Sequence, residues 1–446
     1  MSASAILHRQ VDGPLPQLKS AHGLWVVDGD GREYLDAVSG GAAVSAIGHG
    51  QPKVREAILT QLDKVAYAHS SFFTSEPAEE LADMLVASAP EGIARVAFCA
   101  GGSEAVEGAL KLARQYWVER GQPQKTRIIA RRQSYHGATL GALSVGGNPA
   151  RRALYAPFLF DAAFISPCYA YRDQRSDETE IAYGLRAAQE LEDTILRLGA
   201  ENVAAFIAEP VVGATLGCAP AVEGYLREIR RICDEHDVLL ILDEIMCGAG
   251  RTGHQHACLE DGVAPDLMTM AKGLGGGYVP IGAVLIGARI VDAISRGSGK
   301  LGHGLTYMGH PVACAGALAV QKIIADEGLV RRAQRSGAAL RAGLESRFGQ
   351  HPNVGDIRGR GLFLGVELVR DRESREPFDP ALALNAVVKR TAMARGLMIY
   401  PSGGTVDGTK GDHILLAPAL TASQHELDEI VERLSLALAD ALKELA

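Results

Sequence analysis

Lys272 is the one charged side chain in TMAKGLGGGYVPIGAV, Thr269 to Val284, after an apolar run and before four glycines in five positions. An ammonium there loses hydration and finds no counter-charge within the stretch. Such a lysine is either paired from elsewhere or titrated down to a neutral amine that can form a Schiff base with a carbonyl. The bland alternative is a surface lysine on a flexible loop. Asp243 follows the apolar run VLLIL, so its carboxylate emerges from a buried strand. Facing a pyridine nitrogen, it would keep that nitrogen protonated and make the ring an electron sink. It could also be a metal-binding strand-end aspartate or a structural cap. The sequence has no G-x-x-x-x-G-K-[ST], which removes most of the nucleotide version of that alternative.

In an open parallel sheet, ligands sit beyond the carboxyl ends of the strands. The run ARVAFCA leads into Gly101, Gly102 and Ser103, where a helical pattern begins. Freed backbone N–H groups and the Ser103 hydroxyl make a phosphate site there, or only an ordinary helix start. RIIARRQ leads to Tyr135, His136 and Gly137. The tyrosine could stack on a ring and the histidine hydrogen-bond beside it, or the triplet could be core packing and a turn. VAAFIAEP closes on Glu209, VLLILDEI on Asp243 and Glu244, and LMTMA on Lys272. Five adjacent strand ends then offer an anion cradle, an aromatic ring, carboxylates and a lysine. A phosphorylated, protonated heteroaromatic aldehyde needs all of them.

These ends require the strands behind them. Six short apolar runs, the five above and AAFISP, alternate with amphipathic segments such as AVEGALKLARQYWVER and GYLREIRRICDEHD. That alternation predicts a mostly parallel sheet covered on both faces. HGLWVVDGDGREYLD, residues 22 to 36, reads as a hairpin. After about residue 320 the pattern turns largely helical, with GRGLFLGVELV (359 to 369) a strand of a smaller lobe. The fold class is α/β with a C-terminal α+β lobe.

The 446 residues exceed one small core, and 47% of them are hydrophobic, as in an ordinary globular protein. A net charge of −8 without like-charge runs argues against nucleic acid. No apolar stretch reaches the ~18 residues of a membrane span. MSASAILHRQVDGPLPQ lacks the apolar core of a signal peptide. The seven cysteines form no C-x-x-C pair, which suits a reduced, cytoplasmic enzyme without a zinc site or disulfides. Gly248, Gly250 and Gly253 in CGAGRTG match G-x-G-x-x-G after an apolar strand. Two acids close that strand, and no strand with a terminal acid follows about twenty residues on. A nicotinamide-dependent oxidoreductase is the competing reading from a different class.

Together, LILDEIMCGAGRTG and AKGLGGGYVPIGAV closely resemble the class III aminotransferases, pyridoxal-phosphate enzymes of fold type I. GREYLDAVSG, GHGQPKV, GGSEAVEGALKLAR, YHG, AEPV, HGLTYMGHPVACAGAL and RGRGLFLGVEL extend the resemblance over nearly the whole chain. It implies a large cofactor domain (61–325), a small domain from both chain ends (1–60 and 326–446), and a homodimer with shared active sites. By the resemblance, Lys272 is the Schiff-base lysine and Asp243 the partner of the pyridine nitrogen. Ile245 packs under the ring and Tyr135 stacks above it. Gly102 and Ser103 match the phosphate loop, Thr306 a phosphate ligand from the neighbouring subunit, and Glu209 a glutamate near the cofactor. Gly101 replaces a common serine, so that phosphate contact is lost or comes from the backbone. Ala43 falls where amine-specific members often carry tryptophan, which implies a roomier pocket. Lys410 lies about where relatives place an arginine for the substrate carboxylate. The implied reaction is ping-pong transfer from an ω-amino acid, amine or α-amino acid to a keto acid, with pyruvate favoured. An aminomutase or racemase of the same fold would use the same residues.

Overall fold

The computed structural model describes residues 5–9 and 15–445, so the N-terminal stretch read above lies partly outside the described residues. All six apolar runs are strands of one seven-stranded sheet. Its order is Ile93–Cys99, Gly282–Gly287, Leu267–Met270, Leu239–Asp243, Val203–Ala208, Arg127–Arg131 and Ala163–Ile165. Six strands run in one direction, and Gly282–Gly287 runs against them. This strand lies in the stretch read above only as a glycine-rich lead-out from Lys272. It also corrects the expectation of five adjacent strand ends. Four are adjacent, while the end at Cys99 is set one strand further away. The antiparallel strand starts from the same edge, so Val279, Pro280 and Ile281 fill the interval.

Alternation along the central strands separates two cores. Phe206, Ala208, Leu240, Leu242, Met268 and Met270 pack on one face with Leu191, Tyr225 and Ile229 from covering helices. Ala205, Ile207, Leu239, Ile241 and Leu267 pack on the other with Val106, Ala109, Ala113 and Trp117. Both sets follow from side chains pointing to opposite faces at successive residues. The helix Gly102–Glu119 spaces its apolar residues at three and four, and its Trp117 Nε1 donates to Ala204 O at 2.8 Å. Truncating such a buried ring to alanine costs about 3–5 kcal/mol.

The smaller sheets join the chain ends. Leu18–His22, Trp25–Asp28 and Glu33–Asp36 form antiparallel pairs, as the Asp-Gly hairpin predicts, and Leu397–Met398 adds parallel to Glu33–Asp36. Val354–Arg360, Phe363–Leu368, Asp412–Leu416 and Tyr400–Gly403 form a second, antiparallel sheet. Leu24, Leu35 and Ile47 share a third core with Leu340, Leu364 and Ile430. The helix Pro311–Asp326 turns Cys314, Ala317 and Leu318 to the large core and Val320, Ile323 and Ile324 to this one.

Candidate active site

Asp243 closes a fully buried strand, so its carboxylate must be satisfied from inside the protein. Its Oδ2 meets His136 Nδ1 at 2.7 Å. Its Oδ1 accepts from the Ile245 N–H at 3.0 Å and from Thr269 Oγ1 at 3.2 Å. Three contacts fix the orientation of the group. His136 is buried, and its Nε2 has no partner among the described residues. Glu209 is buried beside this pair and accepts from the N–H groups of Tyr135 (3.1 Å) and Gly213 (3.2 Å). Burial pushes the Glu209 carboxyl up, an effect softened by His136.

Lys272 follows the strand Leu267–Met270 with φ 47°, a left-handed backbone rare for residues other than glycine. Its carbonyl accepts from the N–H groups of Gly275 and Gly276 at 3.1 and 2.9 Å, which pins the turn. Burial pushes the amine's pKa down against the opposing pull of Asp243 and Glu209. The side chain makes no hydrogen bond among the described residues, and it lines a cleft of about 290 Å³. A desolvated amine of this kind is suited to attack a carbonyl.

The same cleft is lined by Gly101, Gly102, Ser103, Tyr135, His136, Glu209, Asp243 and Ile245. The helix Gly102–Glu119 starts there from an extended Gly101 without a side-chain cap, so its first N–H groups stay available to an anion. A Cβ on Gly102 would sit 3.0 Å from Ile245 Cδ1, so any larger residue would press on that side chain. Ser103 Oγ accepts from the Ala138 N–H at 3.0 Å and keeps its own proton to donate.

Three expected residues lie elsewhere. Ala43 is not in the lining: the turn at Ser39–Ala43 packs it with Val38, Cys247 and Phe363, and Val44 faces the cleft instead. Lys410 is exposed on a loop whose turn is closed by Asp407 Oδ1 accepting its N–H at 2.7 Å. Thr306 is exposed outside this cleft, its carbonyl accepting from Tyr67 Oη at 2.8 Å. The glycines after Lys272 do not line the cleft either. Gly276 and Gly277 have positive φ, and a Cβ added at each would lie 3.0 Å from Val320 and 2.9 Å from Ser45, so the chain bends tightly against its neighbours. Thr269 escaped the sequence reading, although a lone hydroxyl within LMTMA is a signal. Ala214, Met246 and Val279 to Ile281 are apolar lining without one.

The G-x-G-x-x-G segment is a buttress. Arg251 within it is buried and donates to the carbonyls of Leu362 and Pro418 and to Ser39 Oγ. The next helix, Cys258–Asp261, is one turn long and begins against Glu244, whose carboxylate accepts from the Ala257 and Cys258 N–H groups. A pyrophosphate turn has no helix to serve it here.

On this α/β fold, one cleft brings together a buried amine, a buried carboxylate–histidine pair and an uncapped helix start. The aminotransferase class-III family model matches residues 6–438, and the chain belongs to that family. It is 46% identical to an uncharacterized aminotransferase of Schizosaccharomyces pombe over 421 residues, 94% of this chain and 92% of that protein. A thermostable (S)-enantioselective omega-transaminase from Thermomicrobium roseum superposes with a TM-score of 0.91 at 38% identity, covering 98% of this chain and 96% of that one. The omega transaminase from Pseudomonas jessenii in complex with PMP gives 0.90 at 34%, covering 96% and 93%. The protein is an aminotransferase of class III, and its cofactor is pyridoxal 5′-phosphate. The cleft fits that group: an amine for the aldehyde, a buried carboxylate for the ring nitrogen, and an uncapped helix start for the phosphate.

Proposed function

We propose that the protein moves an amino group from an ω-amino acid, a simple amine or an α-amino acid to a keto acid, with pyruvate as acceptor, in a ping-pong sequence. The meeting of Lys272 with the Asp243–His136 pair in one cleft carries this reading. Bound pyridoxal phosphate supplies an electron sink that acidifies the carbon bearing the substrate's amine. Asp243, oriented by His136 and Thr269, holds the ring nitrogen charged. Lys272 Nζ, freed by the incoming amine, would take the proton from that carbon and deliver it to the cofactor's C4′ rather than back to the carbon it left. Tyr135 and Ile245 would hold the ring from its two sides, with Glu209 and His136 beside it, and the N–H groups from Gly101 to Ser103 would bind the phosphate.

The reading includes a cytoplasmic homodimer in which Thr306 of the partner subunit adds a phosphate contact. It is supported by the exposure of Thr306 and by the aromatic surface beside it. Tyr67 and Tyr307 pack edge to face at 5.9 Å, and Phe72 and Phe73 are 78% and 71% exposed. No helix among the described residues is long and apolar enough to cross a membrane. The division into a large domain (61–325) and a small one (1–60 and 326–446) is part of the same reading, supported by the core that the chain ends share. The proposal carries neither Ala43 nor Lys410 into the cleft.

The visible spectrum of the holoenzyme tests this directly. Excess ω-amino acid without keto acid is expected to bleach the cofactor's colour and release one carbonyl product per site. Added pyruvate then restores the colour. A yellow protein that no amine bleaches would overturn transamination.

A further inference from the structure

A second cavity, of about 490 Å³, shares a wall with the Lys272 cleft. Ala214 lines the cleft and its neighbour Thr215 lines the cavity. Tyr135 lines the cleft, and over its ring, 4.6 Å from the centroid, lies the guanidinium of Arg151, which lines the cavity. The rest of that lining mixes the polar Asn148, Thr215, Asn385, Ser402 and Thr409 with alanine, proline and glycine residues. Among the described residues that line it, Arg151 carries the only charge.

The base of Arg151 is fixed. It sits in the short helix Pro149–Arg152, where its N–H donates to Asn148 Oδ1 at 3.2 Å. Pro149 packs beneath Gly408, where an added Cβ would lie 2.7 Å from the proline ring, so the loop around Gly408 closes against this helix. Among the described residues no carboxylate pairs with the guanidinium. Asp412 stands behind Gly403, accepting the Asn385 N–H at 3.2 Å, and is not part of the lining. An arginine anchored on a cleft residue's ring, with its donor fork unmatched, is complementary to a planar carboxylate. Lys410, which the sequence suggests for that task, lies outside both linings.

We propose that Arg151 binds the far carboxylate of a substrate whose reacting end lies at Lys272. The substrates are then ω-amino acids as donors or dicarboxylic keto acids as acceptors, which share that carboxylate. The proposal rests on the transaminase reading above and names the substrate class of the same site.

The test runs the two half-reactions of the holoenzyme separately, in the natural protein and in Arg151→Gln. One pair of probes is 5-aminopentanoate against pentylamine; the other is 2-oxoglutarate against pyruvate. In at least one pair, KM for the probe with the far carboxylate is expected to rise ~10- to 100-fold. Its kcat and the constants of its partner probe hold, and Arg151→Lys recovers part of the loss. A rise in the first pair assigns the donor, and in the second the acceptor. Binding of glutarate to the holoenzyme, followed by calorimetry, weakens in step. Equal effects on both members of each pair, or no effect, overturn the proposal. So does a natural enzyme that transaminates pentylamine but accepts neither carboxylate probe. An enzyme that transaminates nothing overturns the reading beneath, and the glutarate titration then still decides whether Arg151 holds a carboxylate.

Discussion

At the scale of single residues, the chemistry rests on groups whose surroundings leave them few options. Lys272 has an amine depressed by burial and no hydrogen bond among the described residues that its removal would break. Lys272→Ala is therefore expected to lose transamination by at least ~10³-fold while keeping cooperative thermal unfolding. Near-normal turnover in that variant would sink the assignment. Asp243→Asn keeps the shape and removes the charge, so kcat should drop ~10²-fold or more. An unchanged kcat would mean that Asp243 is only a structural cap. Both residues were legible because each is a polar group at the end of an apolar run. The contacts of Asp243 were not: Thr269 lies on the neighbouring strand and His136 in the loop after Arg127–Arg131, and neighbourhood across a sheet is not written in linear spacing.

At the scale of elements, the parallel strands read clearly because burial on both faces makes them continuous apolar runs. The antiparallel Gly282–Gly287 did not, because its apolar residues are bracketed by glycines and merge with the lysine's loop. The strand Asp412–Leu416 shows how an element supports the cleft from behind. Its His413 is buried, with Nδ1 2.6 Å from Thr405 Oγ1, and an added Cβ on Gly217 would lie 2.7 Å from the ring. It thus wedges the turn that carries Ala214 into the cleft wall. Burial holds this histidine neutral down to a pKa of about 3. The unfolded chain protonates it near ~6.5. Between those values the unfolded state takes up a proton that the folded state refuses, so stability is lost as pH falls and is unaffected above ~7. The loss is up to ~2–3 kcal/mol by pH ~4.5. Urea unfolding at the two pH values should show a smaller acid loss in His413→Asn than in the natural protein. Equal losses would mean that other groups carry the acid response.

At the scale of the whole molecule, two features bear on the proposed homodimer: Thr306 outside the cleft, and the exposed Phe72 and Phe73. Sedimentation should show a dimer, and Phe72→Asp with Phe73→Asp should weaken it and loosen the cofactor. Apolar surface buried between subunits is the stabilising term that the two charges would remove. A natural protein that sediments as a monomer would remove the partner's Thr306 from the site. A double variant that stays fully dimeric would place the interface elsewhere.

The sequence by itself determined the α/β class, the family, and the placing of Lys272 and Asp243 at strand ends. Those depend on burial periodicity and on residue types at strand ends, which are local properties. Only the tertiary structure decided what stands around them. It inserted an antiparallel strand among the parallel ones, turned Ala43 into the core and Val44 toward the cleft, and left Lys410 outside. It also brought Arg151 over Tyr135. These outcomes depend on how a turn bends and which segments pack together, and packing between distant segments is decided by the whole chain.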